Sequence, residues 1–464
     1  MIFASIGGDR AFAETGGCKA EYHKKGVMLH RRLITGTRFA ALFLLSLLLI
    51  SCAAPRAVKK PPIRIEKPSV KNAPRLEKAP VVRVLLLAAS MRARISISEK
   101  FFIAGGLDDQ SIERIDRGGR FVLKYSAGTV EMRSAGKPFY RAPRIFVRPY
   151  TDGKVYLNGK PYRGSFLFEA VDNGIVAINV IEIDDYLKGV LPSEIGYLSG
   201  NQYEAYRAQA IASRSYALSK IEEKRGELYD LKPSIMDQVY KGVLGENAEA
   251  SRAVDETRGV IAVWDGKPIK AYYSSCCGGH TSDIRLVWPR KPAFPYLYGV
   301  RDTVAETMDR SLCSRSHNFR WSVTWSGTKL SGILRKTIPA ELNVAERLVG
   351  RLKDINVLKV GTDGRVAELE ISTDRGSFRV QGDKIRWVLR PVGASGAILK
   401  STMFKLNVRK AHGRVLSVNL RGGGNGHGVG MCQSGAIRMA ELGYSGEEII
   451  RHYYPGVHVE KIYN

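Results

Sequence analysis

The chain has 464 residues, a formal net charge of +27 and 44% hydrophobic residues. That length and apolar content exclude a lone mini-domain and a disordered polymer, and predict two or more domains with their own cores. The charge points to an anionic partner, either nucleic acid or the cell envelope.

Residues 1–27 carry no apolar periodicity and no export pattern. A better start is Met28. Basic residues Arg31, Arg32 and Arg38 precede an apolar run at 39–50, so 28–51 reads as a lipoprotein signal peptide and 1–27 as an over-extended start. The run is short for a membrane span. It ends in Leu49-Ile50-Ser51-Cys52, which resembles a bacterial lipobox, and Cys52 is the expected lipidation site; an uncleaved anchor is the alternative. Either way the rest of the chain lies outside the cytoplasmic membrane. This argues against nucleic acid as partner and predicts a lipid-anchored envelope protein, in the outer membrane or periplasm if the cell is Gram-negative.

Residues 52–80 are expected to form a Pro/Lys-rich linker. The stretch 54–80 holds six prolines, eight Lys or Arg and two Glu, and no aromatic residue, so it cannot bury a core. From 81 to 170 the pattern is β-rich, with strands predicted at 81–88, 95–97, 101–104, 120–125, 129–133, 144–147 and 154–157, then 165–170 and 174–183.

The stretch 183–218 reads as helix, loop, helix. Tyr186, Leu187 and Val190 form one apolar face, Pro192 is expected to end the first helix, and Gly196 and Gly200 mark a loop. The residues 202–221, free of Gly and Pro, predict a long second helix. Glu194 would then sit on the connection, where a general acid is both fixed and reachable. From spacing alone, a contact with a helix N-terminus is the alternative.

Three blocks carry a family resemblance. Tyr186-Leu187-Lys188-Gly189-Val190-Leu191-Pro192-Ser193-Glu194, followed by Ala208-Gln209-Ala210-Ile211-Ala212-Ser213-Arg214-Ser215-Tyr216-Ala217-Leu218, resembles the signature of the SpoIID/LytB family. Ala271-Tyr272-Tyr273-Ser274-Ser275-Cys276-Cys277-Gly278-Gly279-His280-Thr281 is similar to its second block, and Gly422-Gly423-Gly424-Asn425-Gly426-His427-Gly428-Val429-Gly430-Met431-Cys432-Gln433-Ser434-Gly435-Ala436 to its third. In the third block Asn425 and Ser434 replace aromatics and Cys432 replaces a serine.

The resemblance implies an α+β fold: a β-rich N-terminal region, a central helix-loop-helix catalytic core over 171–317 and a C-terminal part of that core over 401–464; residues 318–400, which match the family least, read from their own pattern as an inserted α/β subdomain with no assigned chemistry. It implies a peptidoglycan lytic transglycosylase with Glu194 as its single catalytic residue, cleaving the MurNAc–GlcNAc bond to give 1,6-anhydro-MurNAc ends. A non-catalytic glycan-binding enhancer of a cell-wall amidase is the other reading the family name carries. Arg214, Ser274, Ser275, Gly278, Gly279, His280, His427 and Gln433 are the expected substrate-binding residues. Arg214 in a surface salt bridge and His427 as a loop strut are the alternatives. Some relatives bind zinc through His and Cys beside a run like Asp237-Gln238-Val239-Tyr240; residues 231–238 hold neither, so that site cannot form.

No cofactor is expected. Cys276, Cys277, Cys313 and Cys432 sit in an oxidising compartment, where disulfides are permitted. The resemblance favours a Cys277–Cys313 bridge; Cys276 facing Cys432 is the alternative if the second and third blocks line one cleft. Zinc on Cys277, His280, Cys313 and His317 is the alternative.

Overall fold

The computed structural model describes residues 71–106, 112–307, 310–393 and 395–464. The expected signal peptide, Cys52 and most of the linker lie outside the described residues. Among those described, no helix is long and apolar enough to cross a membrane.

The N-terminal region is all strand: β1 (Val81–Ser90), β2 (Arg92–Ile97), β3 (Phe101–Ala104), β4 (Glu113–Ile115), β5 (Gly119–Ser126), β6 (Thr129–Ser134), β7 (Lys137–Ala142), β8 (Arg144–Pro149), β9 (Val155–Leu157), β10 (Lys160–Tyr162), β11 (Ser165–Val171) and β12 (Gly174–Glu182). They form two six-stranded antiparallel sheets, ordered β1-β12-β11-β8-β3-β4 and β10-β9-β2-β5-β6-β7. Alternation sets the register: Ile95 pairs with Phe121, and Leu123 with both Ala93 and Met132, so all of these face one core. Phe101 of the first sheet meets Phe121 of the second edge-to-face at 5.8 Å. Strands β4, β7 and β10 are absent from the sequence-based reading. Two are three residues long, and β7 is a Lys- and Arg-bearing edge, where charge guards against further pairing.

Two expected boundaries move. A break at 170/171 would cut the β11–β12 hairpin, and one apolar core runs from Ala73 through both sheets into the helical region. The end of the linker is also docked rather than solvated. Ala73 is buried, its N–H donates to Glu460 Oε1, and the Leu76 N–H donates to the Ile462 carbonyl at 2.8 Å.

The helical region follows with α1 (Ile183–Ile195), α2 (Tyr203–Glu223), α3 (Ala248–Glu256), β13 (Val260–Trp264), β14 (Lys267–Pro268), β15 (Tyr273–Ser274) and the short α4 (Ile284–Val287). Helix α2 is buried over most of its circumference, so Ala205, Ala208, Ala210, Ala212 and Ala217 let neighbours approach on every side. Pro192 does not end α1. Its fixed φ suits a helix, and losing one intrahelical bond in the last turn is offset by burial of Leu191 and Ile195. Gly196, at φ +87°, closes the helix by donating its N–H to the Pro192 carbonyl.

A second core is built from β16 (Trp321–Ser326), α5 (Gly327–Leu342), β17 (Leu352–Val360), β18 (Val366–Thr373), β19 (Gly376–Gln381), α6 (Lys384–Val388), β20 (Phe404–Ala411) and β21 (Arg414–Gly422). Two three-stranded antiparallel sheets, β16-β21-β20 and β17-β18-β19, enclose it with α5 and α6. It therefore extends past the expected end at 400, because Phe404, Val418 and Leu420 pack into it. Ser326 caps α5 through the Lys329 N–H, and Asn343 in the left-handed conformation ends it.

The chain then returns to the first core with β22 (Met431–Cys432), α7 (Gln433–Glu441), α8 (Gly446–Tyr453) and β23 (His458–Lys461). β22 lies parallel to β15, and β23 pairs with β13.

Candidate active site

Glu194 lies in the last turn of α1, not on a connection as its sequence neighbours suggested. Gly189, one turn earlier, sets its surroundings. A Cβ there would meet the Tyr240 ring at 2.7 Å and the Gly242 carbonyl at 2.8 Å, so only glycine lets α1 lie against the 237–242 loop. That close approach brings the Val239 N–H onto Glu194 Oε1. Burial pushes the Glu194 carboxyl up to about 7, with the Val239 hydrogen bond acting in the opposite sense. Among the described residues no cation pairs with it.

The walls are neutral and polar. Tyr186 Oη donates to Gln238 Oε1 at 3.1 Å, and Gln238 Nε2 donates to Tyr273 Oη at 3.0 Å. Both phenols stay protonated, first through burial and further through the Glu194 charge. A carboxyl titrating near 7 on a fixed helix can deliver a proton and take it back, the property a general acid/base needs.

The site has a stability signature. Glu194 titrates higher in the folded chain than its ordinary value near 4.5, so the folded state binds the extra proton. Its contribution is full below the ordinary value and is lost as pH rises toward 7. Glu194→Gln carries no such charge and keeps an acceptor for the Val239 N–H. Its melting temperature is therefore expected to exceed that of wild type at pH 8 and to match it at pH 4.5. Parallel melting curves for the two proteins at both pH values would undo this reading of burial.

Several expected substrate-binding residues have structural duties instead. Arg214 is completely buried. Its guanidinium bonds Asp184 Oδ1 at 2.8 Å and the Val260 and Val254 carbonyls at 2.9 and 3.2 Å, so it can reach neither substrate nor surface. His427 accepts from the Val429 N–H at Nδ1 (3.0 Å), is held by the Tyr273 backbone carbonyl, and has Tyr272 and Trp288 against its ring. Burial lowers it to about 4, leaving a neutral loop strut. Gln433 is buried and donates to Gln209 Oε1 at 3.2 Å, tying α7 to α2. Gly278 is buried at φ +79°, and a Cβ would strike Gly423 and Gly424 at 2.9 Å, so it packs two loops together rather than cradling a ligand.

The remaining residues sit as follows. Ser275 presents its carbonyl to Ser434 N–H and Oγ at 3.0 and 2.7 Å, which anchors the start of α7. Gly279 is half-buried at φ +115° against Ser311 Oγ, and the His280 carbonyl accepts from the buried Arg365 at the seam with the second core. Ser274 Oγ is buried beside Gly426, with no hydrogen-bond partner among the described residues. The second and third blocks do meet, through paired hydrogen bonds between Cys276 and Asn425 at 2.7 and 3.1 Å. On the Glu194 side, however, the second block is represented by Tyr273. Strand alternation turns Tyr273 one way and Ser274 the other. Sequence reasoning missed Tyr273, Gln238 and the Val239 N–H; the 237–240 run was visible, but only as a vanished zinc motif.

Cys277 and Cys313 are neighbours with sulfurs 3.7 Å apart, but they are free thiols, so the expected bridge is not closed. His317 is exposed and takes no part; the groups gathered around those sulfurs are Cys432 and Asp302.

A half-buried glutamate among neutral polar side chains, carried by a helix pair on a β-rich base, is an arrangement that an α+β general acid/base or polymer-binding scaffold can use. Residues 171–264 match the SpoIID family, described as Stage II sporulation protein, and residues 300–430 match a domain of unknown function (DUF8618). The chain is 31% identical over 304 residues to an uncharacterised protein of Brachyspira hyodysenteriae, covering 65% of this chain and 73% of that one. It is 26% identical to the amidase enhancer of Bacillus subtilis over 385 residues, covering 78% of this chain but 51% of that protein. It is also 26% identical to Stage II sporulation protein D of Bacillus amyloliquefaciens, covering 61% of this chain and 76% of that one. The chain belongs to the SpoIID/LytB family.

Proposed function

We propose that the protein has a cell-wall-related function and acts as a peptidoglycan lytic transglycosylase. The observation that carries this is Glu194: one carboxyl raised by burial to about 7, beside neutral phenols and, among the described residues, with no ion-pair partner. Glycosidases ordinarily use two carboxylates, one of them for water or as nucleophile. A lytic enzyme needs only one, because the sugar's own 6-hydroxyl does the attacking. Protonated Glu194 gives its proton to the glycosidic oxygen as the bond breaks. The resulting carboxylate then takes the proton from the MurNAc 6-hydroxyl as the 1,6-anhydro ring closes, which restores the starting state.

Exposed apolar side chains flank the site in sequence and suit a sugar face. Tyr197, three residues after Glu194, is 80% exposed, and Ile235 and Met236 are exposed on the loop leading to Val239. Tyr197→Ala is expected to weaken glycan binding about 2- to 13-fold, since one aromatic contact is worth roughly 0.5–1.5 kcal/mol. Stability should hold within about 0.5 kcal/mol, as for other surface changes. Unchanged affinity in a glycan pull-down would remove Tyr197 from the binding surface. A separate basic groove of about 530 Å³, lined by Arg92, Arg94, Arg120, Lys124 and Arg133, supports an anionic envelope polymer as surroundings. Lipid anchoring through Cys52 belongs to the same proposal; palmitate labelling that survives Cys52→Ser would reject it.

The likeness to an amidase enhancer favours a second reading, in which the cleft binds glycan and stimulates a separate amidase. Digestion of purified glycan strands separates the two. Anhydro-MurNAc ends detected by mass spectrometry support the enzyme; intact strands together with a stimulated amidase support the enhancer.

A further inference from the structure

We propose that Cys277, Cys313, Cys432 and Asp302 form a structural site for a tetrahedral zinc-class divalent cation, which staples three segments of the core behind the cleft. One ligand atom from each of these four residues lies within 4.8 Å of all the others, and all four residues are buried. The Cys277 and Cys313 sulfurs are 3.7 Å apart. A tetrahedral ion with metal–sulfur bonds of about 2.3 Å sets sulfurs about 3.8 Å apart, whereas a disulfide needs about 2.05 Å. The spacing is that of two ligands on one ion.

The surroundings are those of metal-bound thiolates. The Cys277 N–H donates to Cys432 Sγ at 3.2 Å, and the Gly279 N–H to Cys277 Sγ at 3.4 Å. Backbone donors of this kind spread the negative charge of coordinated sulfur. The carboxylate is oriented in the same manner, with Asp302 Oδ1 accepting from Tyr453 Oη at 2.7 Å and Oδ2 from the Cys313 N–H at 2.9 Å. Oriented ligands are a mark of a built metal site. Three sulfurs and one carboxylate oxygen complete four-coordination from protein alone, so the site is closed and structural, not catalytic. Binding displaces the three thiol protons to solvent and changes no oxidation state.

The ligands come from distant parts of the chain. Cys277 follows β15, which carries Tyr273; Asp302 and Cys313 lie on the loop toward the second core; Cys432 caps α7, whose Gln433 is tied to α2. An ion at their meeting point would hold both loops of the second and third blocks. This inference stands whether the cleft cleaves glycan or only binds it. Cys276, beside the cluster with its thiol toward Cys313 and Cys432, is left outside the ligand set.

The test uses the full exported chain, purified without chelator or reductant. Elemental analysis should find about one zinc per chain. Cobalt exchanged for it should show thiolate charge-transfer bands and the intense visible bands of a tetrahedral centre. Chelation should release the metal and lower the melting temperature. Cys313→Ser and Cys432→Ser should lose the metal at least tenfold more readily, whereas Cys276→Ala should keep full occupancy. Should the serine variants fail to fold, the wild-type stoichiometry and cobalt spectrum decide alone. Metal-free exported protein that takes up no zinc, or peptide mapping that finds Cys277 joined to Cys313, overturns the proposal. Loss of metal in folded Cys276→Ala overturns the ligand assignment.

Discussion

Glu194→Gln is expected to lower glycan cleavage by about 10²- to 10⁴-fold, the usual contribution of a positioned general acid/base. The amide keeps the shape of the side chain and still accepts the Val239 hydrogen bond, so glycan binding and folding should persist. Release of anhydro-MurNAc ends from purified strands, followed by mass spectrometry, gives the rate. In wild type, kcat/KM should fall as pH rises through about 7, because the first step needs the protonated carboxyl and burial holds its titration there. Glu182→Gln and Asp185→Asn are suitable controls, since both are partly exposed carboxylates on the same segment. Asp184 is unsuitable, being buried under Arg214, Arg258 and Tyr463. Near-wild-type cleavage by Glu194→Gln, or a flat pH profile across 6–8, would end the catalytic assignment.

Arg214→Ala is expected to destabilise the fold by about 3–5 kcal/mol, the typical cost of removing one member of a buried ion pair. Arg214 spans α2, α1, α3 and β13. It bonds Asp184 at the start of α1 and the carbonyls of Val254 and Val260, which bracket the α3–β13 turn. Without it, Asp184 keeps Arg258 at 3.1 Å and Tyr463 Oη at 3.0 Å, but the Val260 carbonyl loses the guanidinium and the Val254 carbonyl keeps only the long Thr257 Oγ1 bond at 3.4 Å. For a chain of this size the melting temperature should fall by about 4–6 °C. Arg214→Lys should recover only part of this, because an ammonium cannot reproduce the forked geometry. Denaturant titration checks the stability, and substrate titration checks the role. A variant with unchanged stability and a raised KM would return Arg214 to the substrate.

The family blocks also explain why residue role was harder to read than residue importance. The sequence near 208–218 marks Arg214 with the same emphasis as Glu194, yet one is a buried brace and the other is the proposed acid. The difference lies in burial and partners, and both are set by segments far along the chain. The same holds for His427, whose neutral state follows from Tyr272, Trp288 and the Tyr273 carbonyl packing around it.

The sequence by itself determined the α+β class, most strands of the N-terminal sheets, the two central helices and Glu194 as the candidate acid. Those features rest on local periodicity, on Gly and Pro punctuation and on contiguous motifs. The tertiary structure alone decided that Pro192 stays within α1, that Tyr273 rather than Ser274 stands toward Glu194, and that β20 and β21 belong to the second core. It also decided that Cys277 and Cys313 share their corner with Cys432 and Asp302. Each of these depends on contacts between residues tens to hundreds of positions apart, where burial and register, not neighbouring sequence, set a side chain's partner.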